Sequence, residues 1–92
     1  MKQAIHNTQQ GMFIYKLDEI HVCTLVETGP DCWELVCCSG KKCIGNYTKA
    51  RRITEDFVSM LQVSFIRKPE MKASNELLQE RFEEFLSYRM VG

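Results

Sequence analysis

Along the first half of the chain, large apolar residues alternate with polar ones. From Thr48 onward they recur at helical spacing. Period two marks a half-buried strand and a 3–4 residue spacing marks an amphipathic helix. The alternating half predicts strands over Met12–Leu17, Ile20–Glu27, Cys32–Cys38 and Lys42–Asn46. They are separated by Asp18-Glu19, Thr28-Gly29-Pro30-Asp31 and Gly40-Lys41. The last two breaks carry turn chemistry, because glycine reaches positive φ and proline presets its own φ. Asp18-Glu19 is the poorest turn of the three.

Pairing Leu17 with Ile20, Glu27 with Cys32 and Cys38 with Cys43 tests this pattern, since a one-residue slip exchanges the two faces of a strand. Alternation outward from those turns gathers Phe13, Tyr15, Leu17, Ile20, Val22, Thr24, Val26, Trp33, Leu35, Cys37 and Ile44 on one face. Three hairpins agreeing on one apolar side predict an antiparallel meander of three to four strands.

In the second half, Thr48 is placed to cap a helix carrying Ala50, Ile53, Phe57, Met60 and Leu61 on one stripe, with Phe65 next at that spacing, ended by Pro69 at or before Lys68. A fifth strand over the β-rich Val63–Arg67 is the alternative for the end of that segment. Ser74 caps a second helix, with Leu77, Leu78, Phe82, Phe85 and Leu86 on its apolar stripe and Gly92 closing the chain. The expected fold is α+β, a meander followed by two helices packed on one sheet face. Residues 1–10 are read as a flexible polar segment and residues 11–92 as one domain.

A hydrophobic content of 45% in 92 residues is enough for one core. Each large buried side chain contributes about 1.5–3 kcal/mol. Twelve Lys and Arg balance twelve Asp and Glu, so there is no bulk attraction to nucleic acid or to an anionic membrane. No run approaches the ~20 apolar residues that span a bilayer, and Met1–Gln10 is too polar for a signal peptide. A cytoplasmic location is expected, with the five cysteines as free thiols.

The candidate chemistry is sparse. Cys32, Cys37, Cys38 and Cys43 lack zinc-site spacing, although Cys38 and Cys43 are expected to face each other with His21 in the same row. No histidine is placed to activate a cysteine, and Ser39-Gly40-Lys41-Lys42 does not complete a phosphate-loop pattern. Glu80, Glu83 and Glu84 fall on the solvent side of the last helix. Neither catalytic residues nor a metal or other cofactor are expected.

Two features remain. Lys41, Lys42, Lys49, Arg51 and Arg52 form a run without an acid, and three of them enter the first turn of a helix. There the macrodipole disfavours each cation by about 0.3–1 kcal/mol. The second feature is the other face of the sheet, which is expected to show Met12, Ile14, Cys23, Leu25, Val36, Cys38 and Cys43. Only Lys16, His21, Glu27 and Glu34 interrupt it. Either residues 1–10 fold over that face or it is an interface. The leading expectation is a small non-enzymatic regulator or inhibitor of the kind that phages and mobile elements use against host defence complexes. It would occlude a protein partner through Met12, Ile14, Leu25 and Val36 together with the basic edge of Lys41, Lys42, Lys49, Arg51 and Arg52, or pair as a homodimer. The alternative is a nucleic-acid-binding regulator that uses the basic run.

Overall fold

The structure is a computed structural model and describes residues 2–67, 69 and 74–89. Five strands come first, β1 (Gln3–Gln9), β2 (Met12–Leu17), β3 (Ile20–Gly29), β4 (Cys32–Cys37) and β5 (Gly40–Gly45). Two helices follow, α1 (Tyr47–Arg67) and α2 (Asn75–Arg89). The strands lie side by side in chain order, each antiparallel to the next. The fold is therefore α+β, with a meander one strand longer than its apolar pattern predicts.

The extra strand is the segment expected to be a flexible arm. Gln3 pairs with Leu17 and Asn7 with Phe13, and Gly11 turns the chain at φ 77°. An edge strand is held by backbone hydrogen bonds and needs no apolar alternation, so the polar side chains of β1 hide it from a hydrophobic pattern. β1 extends the sheet sideways and leaves the outer face open.

Leu17 and Ile20 do pair, as expected. The turn between them holds Asp18 at φ 48° and Glu19 at φ 69°, the two left-handed residues of a type I′ hairpin. Asp18 locks to Lys2, just before β1: its N–H donates to the Lys2 carbonyl, and its Oδ1 accepts from the Lys2 N–H, both at 2.8 Å.

Strict alternation fails further along β3. Tyr15 pairs with Cys23 while Lys16 pairs with His21, so Val22 is an inserted bulge residue. Val22 and Cys23 are both buried, and every later residue of β3 changes side. Leu25 enters the core at 0% exposure, and Thr24 and Val26 leave the face assigned to them. Burying leucine in place of threonine is the more favourable exchange, and the bulge permits it. Glu27 meets Trp33 and Gly29 meets Cys32 around Pro30-Asp31, a correction of the expected Glu27–Cys32 pair.

The last hairpin also tightens relative to expectation. Cys37 pairs with Gly40, and Cys38-Ser39 form the turn, with Cys38 at φ 56°. Gly40 is thus a strand residue lying under α2, where an added Cβ would stand 2.9 Å from the Phe82 ring.

Asn46, not Thr48, caps α1; its Oδ1 accepts from the Lys49 N–H at 2.9 Å. The helix continues through Val63–Arg67, so the fifth-strand alternative there does not form. Phe57, Leu61 and Phe65 keep the helical period and are fully buried, which outweighs local β-propensity. Ser74 caps α2 as expected, its Oγ accepting from the Leu77 N–H at 3.3 Å. Both helices cover the inner face of the sheet. Trp33, Phe57, Phe82 and Leu35 belong to one core, and Phe57 lies 5.5 Å from Phe82 and 5.3 Å from Phe85. The expected close at Gly92 lies outside the described residues.

Candidate interaction surfaces

Alternation from the core residues puts Met12, Ile14 and Lys16 of β2 on the outer face, together with Thr24 and Val26 of β3 and Glu34 and Val36 of β4. Register aligns them in rows. Met12 stands beside Val26 and Val26 beside Glu34, which faces Cys43. In the next row His6 stands beside Ile14, then Thr24, Val36 and Lys41. Met12, Ile14, Val26 and Val36 thus make a contiguous apolar centre around Thr24. Each is only half-buried, because among the described residues no element lies over them. His6, Lys16, Glu34 and Lys41 form the rim. His21 is exposed there too, its Nε2 2.7 Å from Thr24 Oγ1.

Of the four residues expected to bind a partner through this face, Met12, Ile14 and Val36 lie on it and Leu25 does not. Leu25 and Cys23 belong to the core because of the bulge at Val22, and Val26 takes the place expected of Leu25.

The cysteines are also rearranged. Cys32 and Cys43 are joined as a disulfide between β4 and β5, with Cα atoms 6.0 Å apart. This corrects both the expectation of five free thiols and that of a Cys38–Cys43 pair. Cys38 sits in the turn, where its Sγ donates to the Asn75 carbonyl at 3.7 Å. Burial pushes the Cys23 thiol well above its usual range and the Cys37 thiol to about 12, so both stay protonated and poorly nucleophilic. Among the described residues, no three His, Cys, Asp or Glu side chains gather as metal ligands. Among the described residues, no helix is long and apolar enough to cross a membrane.

The basic run divides three ways. Arg51 folds back onto an aromatic cluster, its guanidinium 5.6 Å from the ring centres of both Phe13 and Tyr47. It donates to the Tyr47 hydroxyl and, at 3.0 Å, to Glu55. Phe13, Trp33 and Tyr47 pack with ring centroids 5.0–6.0 Å apart, so Arg51 serves packing and does not join an anion-binding patch. Lys41 belongs to the sheet rim, and Lys42 is exposed on the β5 edge. Lys49 and Arg52 share a shallow cleft of about 450 Å³ with Asn46, Thr48, Ile53 and Arg89. Arg89, from the end of α2, is the member that sequence spacing could not supply. It bridges to Asp56 at 2.9 Å. Lys49 and Arg52 have no carboxylate partner among the described residues.

Comparison of the chain with protein-family models, with curated proteins and with solved structures finds no match.

Proposed function

We propose that the protein is a binding module without catalytic activity, a regulator or inhibitor that covers part of a protein partner through its outer sheet face. The observation that carries this reading is the contiguous centre of Met12, Ile14, Val26 and Val36, open to solvent and ringed by polar side chains. Protein interfaces have that anatomy, a desolvated apolar core inside a wet rim. A sheet face meant only for water carries polar side chains at those positions.

A second reading rests on Lys49, Arg52 and Arg89 in their cleft. Lys49 and Arg52, without a carboxylate partner, suit the phosphates of a nucleic acid, and the Arg52 guanidinium can grip phosphate through two parallel hydrogen bonds, while Arg89 is shared with Asp56.

The two readings separate in one experiment. The tagged protein is used to capture partners from its native host, alongside Val26→Glu/Val36→Glu and Lys49→Glu/Arg52→Glu variants. The face reading expects a protein partner that the face variant loses and the cleft variant keeps, because each new glutamate would be buried uncompensated in the complex. A partner kept by the face variant sinks the reading. Nucleic acid recovered with wild type, lost in the cleft variant and weakening steadily with salt would put the second reading in its place.

A further inference from the structure

We propose that β1 is a pairing edge at which a second copy of this chain adds its own β1, antiparallel, to form one ten-stranded sheet. The two edges of the sheet differ in the way that matters for such pairing. β5 carries adjacent Lys41 and Lys42, and its irregularity, where Trp33 meets Gly45 and Glu34 meets Cys43, falls next to them, whereas that of β1 lies beyond Asn7. Charged residues and irregularities of that kind keep an edge from pairing. β1 has neither Lys, Arg, Asp, Glu nor Pro in its seven residues. Two copies can approach through β1 without like charges meeting, whereas two β5 edges would bring lysines together.

The symmetry of β1 selects a register. Its regular stretch runs from Gln3 to Asn7, before the register shift that follows Asn7. Antiparallel pairing of that stretch with itself centres on Ile5, setting Ile5 opposite Ile5 of the second copy and Gln3 opposite its Asn7. Side chains directly opposite across an antiparallel pair point to the same face. Both copies then keep their helices on one side, and the two outer faces become continuous.

Apolar exposure falls at the same edge. Ile5 is 42% exposed although it is the centre of the strand. Gln3 Nε2 donates to Gln62 Oε1 at 2.6 Å, which ties this flank of α1 to the start of β1. Ile66, one turn beyond Gln62 on that flank, is 63% exposed. An open hydrogen-bonding edge, an uncharged strand and two bare isoleucines therefore coincide.

Sedimentation equilibrium of the purified chain tests the proposal. The wild type is expected to dimerise. Ile5→Lys should be monomeric with an unchanged circular dichroism spectrum, because two lysines would face each other across the two-fold axis. Ile5→Glu should behave likewise, and mixing the two variants should restore a mixed dimer. Val26→Glu, on the outer face, should leave the dimer intact. A monomeric wild type overturns the proposal, as does a dimer that survives Ile5→Lys or one abolished by Val26→Glu. Failure of the mixed pair to associate overturns the register centred on Ile5. None of these outcomes depends on the outer-face reading, which is tested by partner capture.

Discussion

Tyr15 shows how much one side chain decides in a core of this size. The ring is 2% exposed, and its hydroxyl has no hydrogen-bond partner. Burial raises its pKa from 10.0 to about 12, with Arg51 pulling the other way. An unpaired buried hydroxyl costs about 1–3 kcal/mol, so Tyr15→Phe should unfold at the same or a higher urea concentration than wild type at neutral pH. The alkaline behaviour follows from linkage. The folded state holds the proton more tightly than the unfolded chain, so the stabilisation is complete below pH 10 and is lost as pH rises from about 10 to about 12. A shift of this size corresponds to about 2–3 kcal/mol. Cys37, raised from 9.0 to about 12 mainly by burial, adds a loss of the same sign over its own range. Urea midpoints measured through that range should fall less steeply for Tyr15→Phe than for wild type. Equal slopes would show that the phenol ionises as freely in the folded protein as in the unfolded chain.

At the scale of elements, the apolar pattern made β2, the first part of β3, β4 and α2 legible, because each has a face buried by large side chains. It missed three things for separate physical reasons. β1 buries little, so no pattern marks it. The bulge at Val22 breaks alternation from within, and two adjacent apolar residues, Val22 and Cys23, were its sole local sign. Gly40 looks like a turn residue but is small in order to pass under Phe82. The Asp18-Glu19 turn shows the core overriding local chemistry, since Leu17 at 0% exposure anchors β2 directly before it. The turn must then be two residues long, although neither is glycine. Left-handed backbone costs a residue such as glutamate about 1 kcal/mol. Glu19→Gly should therefore stabilise the protein by about that amount in urea unfolding. Asp18→Gly should gain less, because it removes the acceptor of the Lys2 N–H. If Glu19→Gly destabilises, the hairpin is not the type I′ turn described.

For the whole molecule, formal neutrality conceals an uneven distribution of charge. The basic run was legible as a run, but its division was not, because which way a helix residue points depends on what packs beside it. Arg51 lies on the flank of α1 that meets Phe13, whereas Lys49 and Arg52 line the cleft with Arg89. The first turn of α1 contains no acid and includes Lys49, which therefore works against the helix macrodipole, whereas Arg52 stands one turn further on. Reversing Lys49 should relieve that repulsion. Lys49→Glu/Arg52→Glu is expected to raise the melting temperature, the change at Lys49 contributing about 0.3–1 kcal/mol at low salt, less as salt screens it, and the change at Arg52, a turn before Asp56, adding nothing. Arg51→Glu should behave oppositely. It would lose its contacts with the Phe13 and Tyr47 rings, worth about 0.5–1 kcal/mol each at an exposed site, and would set a carboxylate beside Glu55. Thermal melts of the two variants at low and high salt therefore distinguish a cation used for packing from cations left free. If both lower the melting temperature alike, Lys49 and Arg52 also contribute to packing, and the cleft loses its claim to free charge.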